Sequence, residues 1–217
     1  MPRAVVVFAG APLRPTPRLL ARLRELRRPF VIAADSGAAT ALAFGIQPDL
    51  VIGDLDSIDD ATRTRLQRDG VPFETYPRAK DATDSQLALE RAIREAPEEL
   101  LLLGFVNGPR LDMTVANVLL LALAPSGTAL LDEESEGWIL HGPAKHRWAA
   151  ESSELISLLP LGGNAEGVRT EGLLYPLNGE ALRFGDTRGV SNEPNQSEVA
   201  VALQAGRLLI VRHFPRL

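Results

Sequence analysis

The feature that most constrains this chain is an alternation of hydrophobic period that runs through its first 130 residues and then stops. Short apolar runs alternate with segments whose apolar residues recur every three or four positions. Ala4–Ala9 is the first such run, and Gly10 ends it. Thr16-Pro17 then supplies a helix cap and first-turn proline, and Leu19, Leu20, Leu23 and Leu26 share one helical face. The pattern predicts further strands at Phe30–Ala34, Leu50–Ile52, Val71–Thr75, Leu100–Leu103 and Thr128–Leu131. Between them it predicts helices at Ala38–Phe44, Ala61–Asp69, Thr83–Ala96 (Leu87, Ile93 and neighbouring alanines inward) and Asp112–Ala124. Strands separated by helices need crossover connections, which implies a parallel sheet covered on both faces.

Beyond Leu131 the pattern changes. The acidic run Asp132 to Gly137 reads as a linker. Short apolar runs broken by Gly, Pro and Asn follow, from Trp138–His141 to Arg207–His213, and predict an all-β sandwich or barrel. The formal net charge of −5 lies mostly in this part and argues against a nonspecific nucleic-acid binder. With no cysteine, the chain has no disulfide, thiolate nucleophile or cysteine-bound metal, which fits a reducing compartment. No stretch approaches the roughly 20 apolar residues of a membrane span. Met1-Pro2-Arg3 leads directly into the first strand without a cleavage site, so a cytoplasmic protein is expected.

Polar residues gather just after the apolar strands of the first part: Asp35-Ser36-Gly37, Gly53-Asp54-Leu55-Asp56-Ser57, Lys80-Asp81-Ala82-Thr83-Asp84, and Gly108-Pro109-Arg110-Leu111-Asp112. Open parallel sheets bind ligands at the carboxyl ends of their strands, so four such loops predict one shared site. Asp54 and Asp56, one residue apart after a glycine, suit a hard cation such as magnesium, which takes oxygen ligands. They equally suit a solvated turn with an N-cap at Ser57. Asp81 and Asp84 fit an N-cap and first-turn acid of the next helix. Lys80, one of only two lysines, sits among carboxylates, to steady them or meet a phosphate. Arg110 at a helix start suits a phosphate, and Asp112 suits a helix cap. The dinucleotide Gly-x-Gly, the P-loop and the Gly-x-Ser-x-Gly elbow are all absent. The three histidines have no zinc-binding spacing. What remains is magnesium-assisted phosphate chemistry without a P-loop.

In this order, Ala34-Asp35-Ser36-Gly37-Ala38, Gly45-Ile46-Gln47-Pro48-Asp49, Gly53-Asp54-Leu55-Asp56-Ser57, Lys80-Asp81-x-Thr83-Asp84, Arg110-Leu111-Asp112-x-Thr114-x-Ala116-Asn117 and Ser191-Asn192-Glu193 resemble the thiamine pyrophosphokinase family. The resemblance covers nearly the whole chain. It implies an α/β fold: a Rossmann-like parallel-sheet catalytic domain (residues 1–132), then an all-β sandwich that binds thiamine and dimerises (residues 133–217). It implies transfer of the pyrophosphoryl group of ATP to the thiamine hydroxyl, with magnesium, in a homodimer. Asp54, Asp56, Asp81 and Asp84 are then expected as metal carboxylates, and Asp54, Asp56, Asp84 and Asp112 as catalytic acids. Asp35, Lys80, Asp81, Thr83, Arg110 and Asn117 are expected on the nucleotide, Ser191 and Asn192 on thiamine.

Three departures from the family pattern stand out: Ser36 in place of a glycine, Met113 in place of a polar residue, and the lack of a C-terminal tryptophan, since Trp138 and Trp148 lie earlier and read as β-core residues. Two alternatives follow from the residues. One is a haloacid-dehalogenase-like phosphatase with Asp54 as nucleophile and Gly185-Asp186 as its late acidic motif. The other is a non-catalytic thiamine or nucleotide sensor on the same fold.

Overall fold

A computed structural model describes residues Ala4 to Phe214. The Met1–Arg3 opening, on which the expectation of no signal peptide rests, lies outside these residues. The chain forms two compact units. One runs to Leu120 and takes back Leu130–Glu133; the other comprises Leu121–Ala129 and the chain from Glu134 onward.

The first unit alternates as its hydrophobic period demands: β1 (Ala4–Phe8), α1 (Pro17–Arg24), β2 (Phe30–Ala34), α2 (Gly37–Ala43), β3 (Leu50–Gly53), α3 (Asp60–Arg68), β4 (Phe73–Thr75), α4 (Asp84–Arg94), β5 (Glu99–Leu103), α5 (Leu111–Leu120) and β6 (Ala129–Leu131). The strand order is β4-β3-β2-β1-β5-β6. The β1–β2, β1–β5, β2–β3 and β3–β4 pairs are parallel. Strands β1 and β5 are almost wholly buried, as expected of a sheet covered on both faces. Thr16 caps α1 by accepting from Leu19 N at 3.2 Å. Three local expectations change. The buried face of α4 is Ser85, Ala88, Leu89 and Ala92, with Leu87 and Ile93 only half-buried, because the phase of the turn favours the small residues against the sheet. The cap of α3 is Asp59 rather than Ser57, accepting from Thr62 N at 2.8 Å. The α5 helix ends at Leu120, and the next three residues form a 3-10 turn.

The second unit is antiparallel. Its strands are β7 (Ser135–His141), β8 (Ala144–Ala149), β9 (Leu155–Pro160), β10 (Ala165–Glu171), β11 (Asn178–Leu182), β12 (Glu198–Leu203) and β13 (Arg207–His213). They pair as β7-β13-β9 and as β11-β10-β12-β8. The acidic run read as a linker already enters β7 at Ser135, because backbone pairing with His213 holds its end extended. Trp138 on β7 meets His146 and Trp148 on β8, at ring-centroid distances of 4.5 and 5.2 Å. Both tryptophans are buried.

His146 Nε2 is buried without a hydrogen-bond partner, and burial lowers the pKa of the ring. The folded state therefore favours neutral His146. Its contribution to stability is complete above the ordinary histidine value of 6.5 and is lost as pH falls through the lower folded value. The expected outcome is a melting temperature that drops between pH 7 and pH 5, with a shallower drop in His146→Phe. Parallel slopes in wild type and variant, followed by circular dichroism, would refute this account.

Candidate active site

The carboxyl ends of β1, β2, β3 and β5 open onto a cleft of about 500 Å³ in the first unit. Gly10 and Ala11 follow β1, and Ala34, Asp35 and Ser36 close β2. The β4–α4 connection contributes Arg78, Lys80, Ala82, Thr83 and Asp84. Phe105 and Gly108 to Arg110 follow β5, and Met113, Thr114 and Asn117 come from α5. Crossover loops leave this edge without backbone partners, and they carry the polar residues.

Three carboxylates meet here. Asp35, Asp54 and Asp84 each present an oxygen within 4.8 Å of the other two. Two local devices allow this. Asp35 and Leu55 adopt left-handed backbone (φ 46° and 63°), turning the chain sharply after β2 and β3. Gly53 has φ 150°, and a Cβ there would lie 3.1 Å from Asp84 Oδ1 and 3.2 Å from the Asp35 Cβ. A side chain at 53 would therefore push into two of the three acids. Thr83 caps α4, accepting from Gln86 N at 3.2 Å, which sets Asp84 in the first turn where the helix dipole favours an anion. The expected cap at Asp81 thus moves to Thr83, since it is the Thr83 hydroxyl that faces the free amide. Asp81 itself is exposed.

Lys80 lies within the acidic group. Its Nζ donates to Asp54 Oδ2 at 2.9 Å and lies 3.1 Å from Asp84 Oδ1. Burial works against the ammonium, but its contacts with Asp54 and Asp84 outweigh burial, and its pKa is raised. Asp54 shifts the other way: the Lys80 hydrogen bond holds its carboxyl below the usual range. Asp35, only 5% exposed, is pushed up by burial against the opposing bond from Ser57, whose N donates to Oδ2 at 3.2 Å. Environment therefore separates neighbouring carboxylates, a pattern common where acids have different tasks.

The other expected residues stand further out. Asp56 is on the rim, with Oδ1 accepting from Ser57 Oγ at 2.9 Å and Oδ2 lying 3.6 Å from Arg78 Nε. Arg110 and Asp112 are exposed and paired with each other. The pairing lowers the Asp112 pKa and raises that of Arg110. Asn117 is buried and donates through Nδ2 to Phe105 O at 2.9 Å, while Oδ1 has no hydrogen-bond partner. Ser191 and Asn192 belong to the second unit. The Asn192 side chain is spent on the backbone of a distant loop, donating to Tyr175 O at 2.7 Å and accepting from Tyr175 N at 3.1 Å. Residues that sequence reasoning missed are Gly10, Ala11, Phe105 and Arg78. Gly10 and Ala11 carry no polar side chain to mark them, although the strand-end rule applied to β1 points to their position. Arg78 lies two residues before Lys80 and reads in isolation as a surface charge.

The donor set suits a hard divalent ion. Its ligands are all oxygens, and Asp35 Oδ1 and Asp84 Oδ1 are buried without hydrogen-bond partners, although Asp84 Oδ1 is near Lys80. Manganese titrated alone is expected to bind, with affinity falling at least about tenfold in Asp84→Asn, the scale of one lost charged ligand. Asp59→Asn, which keeps a capping oxygen and removes a carboxylate charge outside the acidic group, is expected to leave binding unchanged. Equal manganese affinity in wild type and Asp84→Asn, read by electron paramagnetic resonance, would refute the site.

Residues 25–129 match the family model described as thiamin pyrophosphokinase, catalytic domain. Residues 146–208 match the model described as thiamin pyrophosphokinase, vitamin B1 binding domain. Over 213 residues the chain is 27% identical to the thiamine pyrophosphokinase of Bacillus subtilis (strain 168), spanning 97% of this chain and 98% of that one. The crystal structure of thiamine pyrophosphokinase from Bacillus subtilis superposes with a TM-score of 0.84 at 26% identity, covering 99% of this chain and 100% of the other. Thiamin pyrophosphokinase from Candida albicans shares the fold at a TM-score of 0.74 and 14% identity, over 99% of this chain and 90% of that one.

Proposed function

The chain belongs to the thiamin pyrophosphokinase family, matching its catalytic and vitamin B1-binding models in turn, and we propose that its cleft transfers the pyrophosphoryl group of ATP to the thiamine hydroxyl, releasing AMP. The observation that carries this reading is the group of Asp35, Asp54, Asp84 and Lys80 at the sheet edge of the part that matches the catalytic model. On the same reading, residues 1–132 are the nucleotide-binding catalytic domain, and 133–217 a thiamine-binding, dimerising β-sandwich.

Asp54 and Asp84, with Asp35 beside them, would hold magnesium, and Asp56 and Asp81 are proposed as further carboxylates for it. When bound, the ion neutralises charge on the transferred phosphoryl oxygens. The chain's own part is positioning. Arg110, at the start of α5, is placed for a phosphate. Thr83, Lys80 and Asn117 line the cleft and are proposed on the nucleotide. Asp112 and the central aspartates are the acids available to orient the thiamine hydroxyl or take its proton. The thiazolium cation favours this acid-rich setting. Ser191 and Asn192 are proposed on the thiamine side. A phosphatase of the haloacid-dehalogenase type is not favoured: Gly185-Asp186 falls on a turn after β11 of the antiparallel unit, not after a parallel strand. The matches are to an enzyme family, which leaves the sensor reading without support.

Incubation with ATP, magnesium and thiamine is expected to yield AMP and thiamine diphosphate by mass spectrometry. Asp54→Asn is expected to lower turnover at least about 100-fold, the scale lost with a key electrostatic group. Release of inorganic phosphate without AMP would overturn the reaction assignment.

We also propose a cytoplasmic homodimer. Its support is an apolar row on α5, where Leu111, Val115 and Leu119 are 77%, 49% and 55% exposed at four-residue spacing. Analytical ultracentrifugation is expected to show a dimer, and Leu119→Glu to shift it toward monomer. A fully active wild-type monomer would refute the homodimer.

A further inference from the structure

The cleft carries a cation that the acidic group does not use. Arg78 lies on the β4–α4 connection, two residues from Lys80, and lines the cleft. Its side chain is 85% exposed, and its only contact among the described residues is the weak pair with Asp56, Nε to Oδ2 at 3.6 Å. Asp56 is held from its other oxygen by Ser57 Oγ. The guanidinium is therefore parked against a fixed carboxylate with most of its donors in water. Arg110, on another loop of the cleft, is also exposed, but Asp112 holds it at both Nε and Nη2. The central cation, Lys80, is already committed to Asp54 and Asp84. An anion with several charged groups entering this cleft would meet two exposed arginines carried by different loops, of which Arg78 is the more loosely held. Guanidinium groups bind phosphate oxygens through paired N–H donors, a stronger contact than a long exposed ion pair.

We propose that Arg78 binds the polyphosphate chain of the nucleotide, exchanging Asp56 for phosphate oxygens when the cleft fills. This rests on the ATP reading above, so the test separates the two. Inorganic tripolyphosphate, titrated with chelator present, probes the cations without base, metal or turnover. Arg78→Ala is expected to weaken tripolyphosphate binding about tenfold, and ATP binding similarly, with AMP affected much less. Arg78→Lys is expected to recover part of the loss. Asp56→Asn, which removes the competing carboxylate, is expected to tighten tripolyphosphate binding under these metal-free conditions. Tripolyphosphate affinity within twofold of wild type in Arg78→Ala would overturn the proposal. Wild-type binding of tripolyphosphate that Arg78→Ala loses, in a protein that makes no AMP, would uphold Arg78 and sink the transfer reaction instead.

Discussion

The ammonium of Lys80 bridging Asp54 and Asp84 is the interaction on which the rest of the site depends. Asp35, Asp54 and Asp84 bring oxygens within 4.8 Å of one another. At about 4 Å and an effective dielectric constant near 20, each like-charged pair costs on the order of 4 kcal/mol. Folding meets that cost in two ways. Lys80 places a positive charge against two of the acids, and burial raises the pKa of the third, Asp35, which lowers the cost of protonating it. The proposed magnesium would take over part of the work of Lys80.

The sheet makes this arrangement possible. Parallel strands bring their carboxyl ends to one edge, and short left-handed turns at Asp35 and Leu55 keep the acids close to the strands that carry them. Gly53 leaves room for Asp84 to come in from α4, and Thr83 ties down the start of that helix. The backbone strain at Asp35 and Leu55 is balanced by the buried strands behind them, among which β1 is fully buried. The cations are ordered from the centre outward: a committed Lys80, then the exposed Arg78 and Arg110 on the rim. That ordering suits a ligand that brings both a metal and a long anionic chain.

Much of this was legible in the chain itself. The alternation of periods is enough for the parallel sheet, because a strand that runs from Val5 to Phe8 without a polar residue must be covered on both faces. The acids after β2 and β3 and before α4 are visible as clusters, and the strand-end rule predicts that they share an edge. The pairing of Lys80 with carboxylates is readable from its place among them in the sequence. What stayed hidden depends on side-chain direction. Asp54 and Asp56 look equivalent in sequence, yet one turns toward Lys80 and the other toward Arg78, since neighbours on a tight turn point in different directions. Asp35 reads as a ligand-binding or turn residue, and only its burial and approach to Asp84 make it the third member of the acidic group. The caps of α3 and α4 each lie two residues beyond the expected ones for a similar reason: which hydroxyl or carboxylate reaches a free amide depends on backbone angles that composition does not specify.

By itself, then, the sequence determined the order of elements, the edge at which chemistry occurs and the kinds of groups gathered there, because these follow from hydrophobic period and chain connectivity. Tertiary structure alone decided which aspartates meet, which arginines stay on the rim, and that the Asn192 side chain is spent on the Tyr175 backbone. Those outcomes turn on distances of a few ångströms between loops far apart in the chain. Coulomb and hydrogen-bond energies are steep at that range, whereas sequence spacing carries almost no information about it.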